Sequence, residues 1–257
     1  MKMSWKSLIG RHRPLLDTHC EGIGLCFQDS PADIVGTVSI DRCVGHLYFG
    51  FGSRGWNPFT QAVKDYLLSG HWQTLEQYYQ VFQPASLAEA YFMRKHARWA
   101  TLNKQSPYLR LKPWRASTIM MSGSDGAGNQ NFGPVTPAKL AQECRKYEVI
   151  IDSIRKHGYD PDKYGTIRGY FLLDGKGDYV IRITQGMHRT PVLDAMGWTS
   201  IPVAFDPVMP RYVSLASLRH WPGVTDGTVS PALARYLFKR HFWDRGNVKK
   251  TLIGDRL

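Results

Sequence analysis

The residues best suited to chemistry lie in one short stretch, Gln185-Gly-Met-His-Arg-Thr190. An arginine carries a planar, permanently charged fork that matches phosphate oxygens, and a neighbouring histidine can move a proton near neutral pH. Gly186 permits a turn that a residue with a Cβ adopts only at a cost. A helix starting just after that turn has N–H groups with no intrahelical acceptor and a positive dipole end. Together with His188 and Arg189 these groups would form a compact receptor for an anion, phosphate above all. A core histidine and a salt-bridged arginine would be spelled the same way, so the surrounding elements must be weighed.

Tyr179, Ile181 and Ile183 alternate along a half-buried strand that leads into the turn. Arg189, Leu193 and Met196 then share one side of a helix, with Gly197 as its stop, and Ile201–Phe205 gives another strand. Upstream, Gly165–Asp174 and Tyr179–Thr184 flank Gly175-Lys-Gly-Asp178 and read as a hairpin. A long helix precedes it, capped by Thr136, opened by Pro137 and ended by Gly158, with Leu140, Tyr147, Ile150, Ile151 and Ile154 as its apolar stripe. Glu143 on this helix could bind a metal or take a proton from an acceptor hydroxyl if it faces the glycine turn. A solvated, salt-bridged face is the ordinary alternative for it. Asp174 and Asp178 are further acid–base candidates, although hairpin aspartates commonly just form the turn. Arg168, near Thr166 on the first hairpin strand, could give a second phosphate contact, and Lys239, Arg240 and His241 could face an anionic acceptor.

Gly186-Met-His-Arg189 followed by Gly197-x-x-x-Ile-Pro-Val203 resembles the core box of the ParB/sulfiredoxin superfamily. There the turn reads Gly-Cys-His-Arg in sulfiredoxins and Gly-Glu-Arg-Arg or similar in ParB proteins. The resemblance implies an α+β fold with a ParB/sulfiredoxin-like nucleotide-binding core over 133–210. It implies Thr166, Arg168, Gln185, Gly186, Met187, His188, Arg189 and Thr190 around ATP or another nucleoside triphosphate, with Mg²⁺. His188, Glu143 and Asp174 are then the catalytic candidates for an ATP-dependent phosphotransferase acting on a hydroxyl of a small molecule or glycan. Trp56–Phe59, Tyr78–Pro84 and Trp221–Val224 also resemble segments of ParB-like proteins associated with bacterial surface-polysaccharide genes, which directs the acceptor expectation toward a glycan.

Two positions depart from the family. Met187 stands where sulfiredoxins carry their nucleophilic cysteine, and a thioether cannot replace a thiolate, which excludes that reductase chemistry. Gln185 stands where many ParB-like kinases carry an acidic residue, so a catalytic base must come from elsewhere. The alternative is a nucleotide-gated DNA-binding protein or a ParB-like nuclease. The former needs a helix-turn-helix after the core box, and only one clear helix, Ser230–Phe242, is legible there.

The flanking regions read as an N-terminal mixed, helix-rich part over 1–132 and a C-terminal helical extension over 211–257. Thr37–Ile40 and His46–Phe51 have strand character, and Gly50–Trp56 is a glycine-rich loop. Asn57 and Pro58 open a helix that stops at Gly70; further helices are expected over Thr74–Phe82 and from Ser86 through Arg98. Ser122–Asn131 reads as a polar linker closing the N-terminal part.

The chain has 257 residues, 43% hydrophobic, with a formal charge of +12, which favours an anionic partner: a nucleotide and an anionic acceptor ahead of DNA. GxxxxGK[ST], HExxH, GxSxG and the protein-kinase set are absent. The four cysteines have no CxxC spacing; Cys20, Cys26 and His19 form only a loose group, and no metal site is expected from them. No run reaches membrane-spanning length, so a cytoplasmic location is expected.

Overall fold

The β-branched and aromatic runs pair into one mixed sheet. The computed structural model describes residues 3–4, 35–93, 100–115, 119–121 and 126–257; His19, Cys20, Cys26 and the 94–98 end of the third expected helix lie outside them. In chain order the strands are β1 (Met3–Ser4), β2 (Val35–Ser39), β3 (Cys43–Val44), β4 (Leu109–Leu111), β5 (Ile119–Met121), β6 (Ile167–Leu173), β7 (Tyr179–Gln185), β8 (Ser200–Phe205) and β9 (Tyr212–Ser214). The large sheet runs β1-β2-β8-β6-β7-β3, with β9 also pairing β6, and β4 and β5 form a separate pair. The hairpin is as expected: β6 and β7 are antiparallel, with a bulge between Arg168 and Gly169. β8 returns parallel to β6 after the glycine-turn helix, and β9 continues along the same edge.

Six helices matter to the argument: α1 (Pro58–Ser69), α2 (Gln73–Val81), α3 (Pro137–His157), α4 (Arg189–Ala195), α5 (Pro231–Trp243) and α6 (Asn247–Ile253). The caps explain their starts. Asn57 accepts from the N–H groups of Phe59 and Thr60, Thr136 from Lys139, and Ser230 from Leu233. The architecture is mixed α+β, and the apolar core is continuous from Val38 to Ile253.

β2 and β3 lie before residue 132 yet pair with β8 and β7, so the sheet takes strands from both sides of that boundary. The last part of the expected linker is packed: Asn129, Asn131 and Phe132 are buried. The hydroxyls of Tyr78 and Tyr79 on α2 donate to the carbonyls of Asn131 (2.5 Å) and Gln130 (3.0 Å).

Three local expectations are corrected. His46–Tyr48 is a 3₁₀ turn, not a strand, with Leu47 and Tyr48 at φ of 55° and 64°. The helix after Ser86 ends at Ala90, and Phe92 follows at φ 50°. A second C-terminal helix, α6, follows α5 through Gly246, whose left-handed conformation (φ 87°) brings it within contact distance of the Trp56 carbonyl.

Candidate functional site

β7 delivers Gln185 to the sheet edge and Gly186 turns the chain at φ 86°. A Cβ there would sit 2.8 Å from Ile167 Cγ1, so the position demands glycine for its backbone angle and for its close approach to β6. The first helical bond of α4 runs from Thr190 N to Gly186 O (2.9 Å), and the Thr190 hydroxyl donates to the same carbonyl (3.0 Å). The N–H groups of Met187, His188 and Arg189 precede that bond and have no intrahelical acceptor.

Glu143 reaches this turn from α3. Its side chain is 1% exposed, and Oε2 lies 2.6 Å from His188 Nε2. Lys146 Nζ is 2.7 Å and Lys139 Nζ 3.4 Å from Oε1. Burial alone would raise the Glu143 carboxyl, but the hydrogen bonds from His188 and Lys146 outweigh it and bring it down to about 2. The carboxylate is therefore ionised at neutral pH, inside a ring of donors. His188, 22% exposed, also packs on Tyr147, with ring centroids 5.0 Å apart. Tyr147 meets Trp72 (5.5 Å), which stacks on Tyr66 (4.2 Å, 11° between planes), so an aromatic shelf runs outward from the histidine.

The other expected site residues divide. Arg189 does not present its whole fork to a ligand. Its Nη1 donates to the carbonyls of Tyr164 (2.9 Å) and Gly165, and it thereby holds the segment entering β6. Thr166, half-buried, lies in that segment. Arg168 donates to Phe205 O (3.0 Å), and Thr184 bonds back to Arg168 O (3.2 Å), so both fasten strands. Gln185 is exposed at the end of β7, and Met187 is partly buried against the core beside Gly45.

Asp174 is not brought to the glycine turn. Its carboxylate accepts from Lys176 N (2.7 Å) and Asp178 N (3.1 Å), which makes it a turn former. That turn closes the β6–β7 hairpin at Leu173 and Tyr179, whereas Gly186 follows the Arg168–Gln185 end. At roughly 3.3 Å per residue the two ends are about 20 Å apart. Asp178 pairs with Arg42. On α5, Arg240 is buried against Asp244 (2.7 Å) and His241 Nδ1–H donates to the Leu237 and Phe238 carbonyls (3.0 and 3.2 Å), so neither forms an open basic face.

Sequence reading missed Lys139, Lys146 and Trp72, and took Tyr147 for core alone. A signal existed: Lys139, Lys146 and Tyr147 lie four residues before, three after and four after Glu143, on one helical face. Among the described residues there is no group of three His, Cys, Asp or Glu side chains that could hold a metal ion, and no helix is long and apolar enough to cross a membrane. No protein-family model matches the chain, and no curated protein matches it.

Proposed function

We propose that the protein binds a nucleoside triphosphate at the Gly186–Arg189 turn and transfers a phosphoryl group to a hydroxyl of a small molecule or glycan. The observation that carries this reading is the 2.6 Å contact between Glu143 Oε2 and His188 Nε2 at the mouth of that turn. A buried carboxylate on one ring nitrogen fixes the hydrogen there and leaves Nδ1 as the basic atom. His188 then takes the acceptor hydroxyl's proton, and the Glu143 carboxylate stabilises the imidazolium that forms. Glu143 acts through His188 and is a positioning residue.

Phosphoryl transfer asks mostly for positioning and for compensation of negative charge. The N–H groups of Met187, His188 and Arg189 and the half-exposed Lys146 ammonium supply positive potential at the turn. Trp72 and Tyr66, stacked on each other and each half-buried beyond the buried Tyr147, offer stacking area for a base or sugar. Glu143 is a poor Mg²⁺ ligand because His188 and two lysines already occupy its oxygens, so any Mg²⁺ belongs with the triphosphate. The bound triphosphate supplies the transferable group. The resemblance of Gly186-Met-His-Arg189 to the ParB/sulfiredoxin box supports the same assignment.

The test is turnover of ATP, CTP and GTP with Mg²⁺ in the presence of sugar acceptors, for the wild type and His188→Asn. The expected result is a loss of roughly a hundredfold or more in kcat for the variant, with nucleotide affinity changed only a few-fold. Absence of both nucleotide binding and hydrolysis in the wild type would overturn the proposal.

A further inference from the structure

A second concave surface lies between α1 and the end of α6, and it shares no residue with the Gly186–Arg189 turn. It holds about 240 Å³ and is lined by Trp56, Gln61, Asp65, Lys250, Gly254 and Asp255, with Leu257 as the remaining wall. Helical spacing brings these groups in pairs. Gln61 and Asp65 stand one turn apart on α1, and Lys250 and Gly254 stand one turn apart where α6 passes into the 3₁₀ turn Gly254–Arg256. Trp56 comes just before the Asn57 cap of α1. Its ring meets Phe49 at 67°, with centroids 5.9 Å apart, which holds it in place.

The backbone of Gly254 is ordinary right-handed helix (φ −61°, ψ −38°), where glycine is less stable than alanine and no turn requires it. What a side chain would take there is room. A Cβ would lie 3.7 Å from Trp56 Cζ2 and 3.2 Å from Lys250 Cγ, so the glycine keeps the space beside the indole open. The Asp65 carboxylate is held in orientation from two sides. Gln61 Nε2 donates to its Oδ1 (3.0 Å) and the Thr74 hydroxyl to its Oδ2 (2.6 Å), and each oxygen has a second acceptor site to offer. Lys250 and Asp255 make no ion pair among the described residues, so an ammonium and a second carboxylate line the same pocket unpaired.

An acidic ligand would meet two carboxylates here, and an ammonium ligand would meet Lys250. Hydroxyl groups suit both signs: each can donate to a carboxylate or to Gln61 Oε1 and accept from the Lys250 ammonium. The indole beside them offers flat apolar area with a polar rim, which matches the C–H face of a sugar. The volume has room for about eight waters, enough for one six-membered sugar ring and less than the roughly 300–1,000 Å³ of sites for larger ligands. We infer that this pocket binds one pyranose ring of a neutral saccharide, laid on Trp56, with Asp65, Asp255, Gln61 and Lys250 holding its hydroxyls. The ring is a free sugar or the end unit of a glycan. The site does not depend on the reading given for the glycine turn.

The experiment is a ligand-observed NMR titration of the full chain with the methyl pyranosides of glucose, galactose and mannose. Glucuronate and glucosamine serve as charged counterparts, and a disaccharide of whichever sugar binds best completes the set. At least one neutral pyranoside binds, with a dissociation constant on the order of 1 mM for a ligand of about twelve non-hydrogen atoms. The charged sugars bind roughly threefold more weakly or worse. Gly254→Leu fills the pocket at a helical position, so binding falls by roughly tenfold or more while thermal unfolding shows a folded protein. Asp255→Ala, at an exposed position, weakens binding by roughly threefold to tenfold and is the deciding variant if Gly254→Leu does not fold. Tighter binding of the disaccharide assigns the end of a glycan, and equal or weaker binding assigns the free sugar. The inference is overturned if no neutral pyranoside binds at roughly fiftyfold the expected constant, if folded Gly254→Leu binds as wild type does, or if Asp255→Ala does.

Discussion

Replacing Glu143 by glutamine keeps the shape of the side chain and removes its charge, which isolates what the ionised carboxylate contributes. The carboxyl is brought from an ordinary 4.5 to about 2 in the folded protein by His188 and Lys146. A depressed carboxyl pKa stabilises the fold above the unfolded-state value and loses that contribution as pH falls through the folded-state value. The window is therefore pH 4.5 down to about 2. At about 1.4 kcal/mol per unit of displacement the linkage is worth about 3 kcal/mol at pH 7, about 1.5 at pH 3 and under about 0.5 at pH 2. Urea unfolding of wild type and Glu143→Gln across pH 2.5–7 measures it directly. The two stabilities should differ by about 2–3 kcal/mol at neutral pH and converge as the solution is acidified. A difference that stays constant from pH 7 to 2.5 would mean that glutamine merely packs badly, and the electrostatic account of the Glu143–His188–Lys146 cluster would be refuted.

Further expectations concern the frame of the site. Gly186→Ala should cost about 2 kcal/mol or more in urea unfolding, because it combines a left-handed angle with a Cβ placed 2.8 Å from Ile167 Cγ1. Gly197→Ala, with a similar angle (φ 82°) and nothing within 4 Å, should cost only about 1 kcal/mol; equal costs would show that the Ile167 approach is immaterial. Asp174→Asn should leave nucleotide affinity unchanged in a titration, since the carboxylate caps a hairpin turn at the far end of β6 and β7. A tenfold loss of affinity would return Asp174 to the site.

Local signals in the sequence were enough to locate α1 and α3, because Asn57-Pro58 with Gly70 and Thr136-Pro137 with Gly158 mark both ends of each helix. The β6–β7 hairpin and the Gly186 turn were legible for the same reason: alternation and glycine carry their own geometry. His46–Phe51 misled because an aromatic, β-rich run spells a strand equally well; what bends it is tertiary, including the buried Lys249 ammonium on the Leu47 carbonyl. The helix after Ser86 carries no breaker, yet Met93 N bonds to Ala88 O and ends it. Glu143 could be nominated from its helix, but its pairing with His188 joins positions 45 residues apart. Arg182 and His46 likewise meet only in the folded chain, and nothing in the neighbours of Arg182 along the sequence announces a buried cation.

On the reading we propose, the Gly186–Arg189 turn, with His188 held by Glu143, handles nucleotide phosphate. The most direct measurement is titration of ATP with Mg²⁺ into wild type and Glu143→Gln, followed by acceptor-dependent release of ADP from each. Both proteins should bind nucleotide with affinities within a few-fold of each other, while turnover in Glu143→Gln falls by roughly tenfold or more because His188 loses its orienting carboxylate. Wild type that binds no nucleotide, or a Glu143→Gln protein that turns over as fast as wild type, would contradict it.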